Sequence, residues 1–239
     1  MLDDSEISRI LVVTAHPDDV DFGAAGTVAT WTDAGIEVTY AILTSGDAGE
    51  CFPETPRAEV AGVRESEQLA AAKTVGVTDV RFLHWADGTL TPSIELRKDI
   101  SRVIRQVRPD RILIQSPERW WDRIYASHPD HLAAGEAAIS AIYPDARNPW
   151  AHPALLTDEG LEAWTARETW IMASPHAAHA VDITDTFDRK IAALQAHASQ
   201  TGGHPDLEGM LRGWSAGIAA TFGLAEGRLA EAFQVINTA

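Results

Sequence analysis

The sequence predicts an α/β fold, a mainly parallel sheet flanked by helices with its functional site at the carboxyl ends of the strands. Two observations carry this. Short apolar runs alternate with helical segments from the start of the chain, the pattern of βαβ units. Two compact polar motifs, His16-Pro17-Asp18-Asp19 and His128-Pro129-Asp130-His131, each follow one of those runs.

Arg9 to Thr14 reads as the first strand, with Ile10-Leu11-Val12-Val13 as a buried run. A helix follows over Gly26 to Ala34 and stops at Gly35. Glu37 to Leu43 is the second strand, and polar, glycine-bearing Thr44 to Pro56 is a loop over the functional face. Arg57 to Val75 is helical, with Ala61, Leu69, Ala72 and Val75 among its apolar positions. Val80 to Leu83 is the third strand, and Ser93 to Val107 is a helix ended by Arg108-Pro109. Arg111 to Gln115 is the fourth strand, and His131 to Ile142 is an Ala-rich helix.

Pro144, Pro149, Pro153 and Gly160 break the pattern, so 143–168 reads as an irregular insertion. Ala180 to Ile183 is a short strand. Asp185 to Ala198 is a helix capped by Thr184 or Asp185. Terminal helices are expected over Asp206 to Thr221 and Ala225 to Val235, completing a single domain over 1–239. In such doubly wound, Rossmann-like sheets, ligands bind beyond the carboxyl ends of the strands. The motifs after strands one and four therefore meet at one sheet edge.

Bulk properties exclude several function classes. A net charge of −16, from 19 basic and 35 acidic side chains, repels phosphate backbones and argues against nucleic acid. No stretch is apolar enough to span a membrane. The acidic start Met1-Leu2-Asp3-Asp4-Ser5-Glu6 has no secretory pattern, and Cys51 is the only cysteine. A cytoplasmic location is expected, and a zinc site here must use histidine and carboxylate. An assembly of identical copies is compatible with the sequence.

The two histidine motifs offer nitrogen and oxygen donors, with carboxylates left over for acid–base work. Two adjacent carboxylates beside an imidazole at a strand end repel each other, and a bound dication relieves that cost. The turn after the first strand lacks a dinucleotide-binding glycine fingerprint despite Gly23 and Gly26. No Gly-x-Ser-x-Gly elbow occurs either. His152, His176 and His179 lack the carboxylate neighbours of the main motifs, and His204-Pro205-Asp206 reads as a loop leading to a helix cap.

Ala15-His16-Pro17-Asp18-Asp19, Phe22-Gly23-Ala24-Ala25-Gly26-Thr27 and Ser127-His128-Pro129-Asp130-His131, in this order, resemble the LmbE-like, or PIG-L, superfamily of N-acetylglucosaminyl deacetylases. Thr44-Ser45-Gly46-Asp47, Arg64-Glu65-Ser66-Glu67, Asp87-Gly88, Val181-Asp182-Ile183-Thr184 and His197-Ala198-Ser199-Gln200 are similar to its weaker features. The resemblance implies a Zn2+ site of His16, Asp19 and His131. It implies Asp18 as general base on a metal-bound water. His128 would stabilise the oxyanion or protonate the leaving amine, and Asp130 would orient it. A His-His-carboxylate set can also take Fe2+. Arg64 and Asp87 match positions that face sugar hydroxyls. Trp120 and Trp121 could wall a sugar ring. Tyr125 lies three residues before His128, where some members place a tyrosine two before. Val20 also departs from the usual Glu after the Asp pair.

The implied substrate is a small N-acetylglucosamine-type sugar or glycoconjugate. The alternatives are an amidase that cleaves a larger acyl group from a thiol–sugar conjugate and a non-catalytic metal- or sugar-binding protein of the same fold.

Overall fold

Strand β1 (Arg9–Thr14) divides its side chains between two apolar layers. Ile10 and Val12 join one cluster, Leu11 and Val13 the other. This period-two alternation, apolar on both faces, marks a central strand covered on both sides. The computed structural model describes residues 1–239. In chain order after β1 come α1 (Asp19–Asp33), β2 (Glu37–Thr44), α2 (Val60–Thr74), β3 (Asp79–Trp85), α3 (Ile94–Val107), β4 (Arg111–Gln115) and α4 (Pro129–Ser140). They are followed by α5 (Pro153–Thr157), β5 (Glu168–Met172), β6 (His179–Asp182), α6 (Phe187–Ala196), α7 (Ala198–Thr201), α8 (Leu207–Thr221) and β7 (Ala230–Asn237).

The seven strands form one sheet in the order β3-β2-β1-β4-β5-β7-β6. The pairs β1–β2, β2–β3, β1–β4 and β4–β5 are parallel. Only β7 runs against its neighbours, β5 and β6. The sheet is therefore mostly parallel and Rossmann-like. Side chains of α1, α2 and α6 contribute to the first apolar layer, and those of α3 and α4 to the second.

Close approach explains two glycines of α1. A Cβ at Gly26 would come within 2.8 Å of the Ile183 side chain, and one at Gly23 would meet the Met172 sulfur. These glycines serve helix packing, consistent with the absence of a nucleotide fingerprint. On β7, Glu231 accepts from the Gly26 and Thr27 amides (3.2 and 2.8 Å) and from Lys190 Nζ (2.6 Å).

Several sequence expectations are corrected. Ala225 to Val235 is not a helix: Ala230–Asn237 is strand β7, because pairing with β5 and β6 outweighs the helix preference of its alanines and glutamate. Strand β5 begins where the expected insertion ends, and Trp170, Ile171 and Met172 are buried in it. Helix α1 starts at Asp19, well before Gly26, and α6 has Thr186 at its N-cap position without a side-chain cap bond. Leu69 is 50 % exposed, while Arg64 and Gln68 occupy the inner face of α2. Asp206 does cap α8, accepting from the Gly209 amide at 2.9 Å.

Candidate metal and catalytic site

The chain leaves β1 towards β2 on one side of the sheet and leaves β4 towards β5 on the other. Adjacent strands with divergent connections open a crevice at their carboxyl ends. The Ala15 amide donates to Gln115 Oε1 (2.8 Å), joining the two strand ends. Asp19 Oδ2 accepts from the His16 amide (2.7 Å), folding the first motif back on itself. Pro129 sits in the first turn of α4, where its missing N–H costs nothing. His128 is the N-cap, and its Nδ1 accepts from the Asp130 amide at 3.2 Å.

His131 Nε2 lies 2.9 Å from Asp19 Oδ1 and 3.2 Å from His16 Nδ1. His16 Nδ1 is 3.4 Å from Asp19 Oδ2. The outer nitrogen of His16, Nε2, faces Asp87 Oδ1 (3.1 Å) and Asp130 Oδ2 (3.3 Å). The Ala126 carbonyl lies close enough to the His131 ring to favour its charged form. With two carboxylates holding the far side of the His16 ring, the inner nitrogens of both rings and the Asp19 carboxylate converge. That is the donor chemistry of a dication site with its supporting acceptors. Donor atoms of His16, His128 and His131 also lie within 4.8 Å of one another, as do those of His16, Asp87 and Asp130, a further potential metal-binding group.

The electrostatics describe a centre that attracts positive charge. Burial opposes a charged His16, but the Asp19 and Asp87 carboxylates prevail and raise it to about 11. Burial likewise opposes a charged His131, and Asp19 again raises it. Against the cost of their own burial, Asp19 is held well below the carboxylate range by His131 and His16, and Asp87 is held at about 2 by His16. His128 moves the other way, lowered by burial and then by His16 and His131.

Asp18 stands apart from this exchange. Burial, and then the Asp19 charge, push it up to about 6, against the opposing pull of Arg64, His197 and His16. Its backbone is left-handed, at φ +88°. Such a conformation costs a residue with a Cβ about 1–2 kcal/mol. Arg64 is only 5 % exposed. Its Nη2 donates to the Pro17 carbonyl (2.8 Å) and Asp18 Oδ2 (3.1 Å), and its Nη1 to the Gly46 carbonyl (2.8 Å).

The structure thus brings His16, Asp18, Asp19, Arg64, Asp87, His128, Asp130 and His131 together. The orientation of Asp130 differs from expectation. Its carboxylate accepts from the Gly88 and Leu90 amides (2.7 and 3.2 Å) and faces His16, so only its backbone amide touches His128. Position 130 lies in the first turn of α4, and its side chain is buried against the 88–90 loop. Asp87 also turns inward, accepting from the Ala48 amide at 2.7 Å. Trp121 and Tyr125 lie on the surface of the segment that leads into His128, 78 % and 66 % exposed. The Tyr125 hydroxyl accepts from Arg123 Nε at 3.1 Å.

His152, His176, His179 and His204 lie elsewhere. His152 pairs with buried Asp145, and His176 with exposed Glu118. The His179 ring meets Trp170 edge-on, and His204 accepts from the Asp206 amide. Sequence reasoning missed Gln68, whose Oε1 accepts from the Asp18 amide at 2.8 Å. The available signal was its i, i+4 spacing from Arg64, which puts two polar side chains on one helix face.

Residues 11–142 match the family model described as PIG-L, GlcNAc-PI de-N-acetylase. The chain is 32 % identical over 196 residues to a diacetylchitobiose deacetylase of Thermococcus kodakarensis, covering 82 % of this chain and 71 % of the relative. It is 33 % identical over 200 residues to a probable N-acetyl-alpha-D-glucosaminyl L-malate deacetylase 2 of Bacillus cereus, covering 81 % and 84 %. Among solved structures, the N,N'-diacetylchitobiose deacetylase from Pyrococcus horikoshii, complexed with its inhibitor MPG, superposes with a TM-score of 0.88 at 28 % identity. That match covers 97 % of this chain and 85 % of the other.

Proposed function

The chain belongs to the PIG-L, or GlcNAc-PI de-N-acetylase, family, and from that premise we propose that it is a metal-dependent hydrolase. It removes the N-acetyl group from an N-acetylglucosamine-type sugar or glycoconjugate. The observation that carries this reading is the meeting of His16 Nδ1, His131 Nε2 and the Asp19 carboxylate, whose Oδ1 faces His131 (2.9 Å) and whose Oδ2 faces His16 (3.4 Å), beside the buried carboxylate of Asp18. The three would hold Zn2+, and the same donors accept Fe2+.

A dication held there supplies a Lewis acid that polarises the amide carbonyl and makes water more acidic. Asp18 takes a proton from the attacking water as its oxygen bonds to the carbonyl carbon. A carboxylate raised to about 6 is ionised near neutral pH yet basic enough for that transfer. His128 is lowered and so neutral there, and its Nδ1 is committed to the Asp130 amide. Its proton therefore sits on Nε2, where it can donate to the oxyanion. Asp18 then passes its proton to the nitrogen, the C–N bond breaks as the oxyanion collapses to a carboxyl group, and acetic acid and the free amine leave. Asp87 and Asp130 keep His16 turned, and Arg64 keeps Asp18 placed. Trp121 and Tyr125, at the outer rim, are the proposed substrate contacts, while Arg64 and Asp87, turned onto Asp18 and His16, act on the substrate through those residues.

Purified protein of measured metal content, incubated with a panel of N-acetylated sugars and followed by mass spectrometry, tests the reading. The expected result is loss of one acetyl group from at least one N-acetylglucosamine conjugate. Stoichiometric metal with no turnover across N-acyl amino sugars would instead identify a binding protein.

A further inference from the structure

Beneath Asp18, three side chains remote in sequence form one buried line. The Asp18 amide donates to Gln68 Oε1 (2.8 Å), Gln68 Nε2 donates to Asp21 Oδ2 (2.9 Å), and His197 Nε2 meets that same oxygen (2.9 Å). Gln68, Asp21 and His197 are each 0 % exposed. None takes part in the reaction described above.

Stability alone does not account for these residue types. A buried carboxylate and imidazole are costly, and well-packed apolar side chains of similar volume serve a core as well or better. Here Asp21 Oδ1 and His197 Nδ1 are also left without partners. What the line does hold is a single peptide group. Asp18 occupies a backbone region that residues with a Cβ avoid, and its amide is the group Gln68 grips.

We propose that Gln68, Asp21 and His197 are positioning residues. They hold Asp18 in its left-handed conformation and thereby aim its carboxylate at the reacting water. The inference rests on the reading of Asp18 as general base. Gln68 suits the task because one side-chain amide accepts from Asp18 and donates to Asp21 at the same time. Its neighbours reinforce the line. Glu67 accepts from the Ser199 amide and hydroxyl (2.7 and 2.6 Å), clamping α2 to the α6–α7 junction where His197 sits. Lys190 donates to the Asp21 and Phe22 carbonyls (3.1 and 2.6 Å), fixing the backbone on which Asp21 is carried.

The test uses metal-loaded protein and reads kcat, KM, metal content and hydrogen exchange of the Asp18 amide. Gln68→Met should lower kcat by about 10- to 100-fold with KM and metal content unchanged, and the Asp18 amide should exchange faster. In an Asp18→Asn background, Gln68→Met should cause no further loss, since it acts through Asp18. His197→Gln keeps a donor for Asp21 and should stay within a few-fold of the parent, whereas His197→Leu should fall as Gln68→Met does. That second pair decides the matter if Gln68→Met does not fold. Full kcat in folded Gln68→Met, equal effects of His197→Gln and His197→Leu, or additive losses with Asp18→Asn would each overturn the positioning role while leaving the base in place. Full activity in Asp18→Asn alone would overturn the base itself.

Discussion

Arg64 Nη2 lies 3.1 Å from Asp18 Oδ2, so a buried guanidinium touches the same carboxylate that the Asp19 charge destabilises. Arg64 favours the ionised form, while burial and Asp19 oppose it. Removing the guanidinium raises the Asp18 pKa, and a base must be deprotonated to act. Arg64→Met should therefore move the acid limb of the pH–rate profile upward by about one pH unit. A profile of kcat/KM against pH checks this, and an unmoved limb would mean that Arg64 does not set the ionisation of Asp18.

Asp18→Asn should abolish most turnover, by about 10²- to 10⁴-fold, while metal content stays at that of the parent. Kinetics paired with elemental analysis separate the outcomes. Joint loss of metal and activity would make Asp18 a ligand.

Asp87→Asn should weaken metal binding by about 10- to 100-fold, because the Asp87 carboxylate accepts from the outer nitrogen of His16. Competition against a chelator of known affinity measures it. Unchanged affinity would leave Asp130 as the sole acceptor that orients the ring.

Metal uptake should release protons. In the metal-free protein His16 is raised to about 11, so its ring is charged at neutral pH and must lose a proton to offer its lone pair. Calorimetric titration in buffers of different ionisation enthalpy counts the protons. Binding without release would mean that the free ring is already neutral.

His197 contributes a pH-dependent part of stability. Burial opposes its charge, but Asp21 raises its pKa above the usual 6.5. Its contribution is thus fully present below about 6.5 and is lost as pH rises through the higher folded value. Urea midpoints of the metal-free protein, compared with those of His197→Gln from about pH 6 to 9, should converge towards alkaline pH. A constant gap across that range would remove the charged pair.

Much of this site was legible because its chemistry is compact. Four residues at 16–19 and four at 128–131 carry the clustered imidazole and carboxylate donors, and each group follows a strand whose apolar run is unmistakable. The line beneath Asp18 was not legible as a unit. Asp21, Gln68 and His197 are single polar residues in three separate segments, and only the packing of α1, α2 and α6 joins them. The same limit applies to the fold. Ala230-Glu231-Ala232 favours a helix locally, and its strand state comes from pairing with β5 and β6 and from the use of Glu231 by α1. Helix α2 misled for a related reason, since its inner face carries Arg64 and Gln68 in place of apolar residues.

β7 is the only partner of β6 and also covers the open side of β5. Both histidine motifs are synthesised before residue 132, yet Glu231 of β7 secures the helix that begins at Asp19. On a ribosome, then, the chain would carry an uncovered β5 edge and an incompletely braced first helix until β7 emerges. Such an edge invites pairing between nascent chains. Removing 230–239 would make that transient state permanent, with aggregation preceding any loss of the histidine cluster.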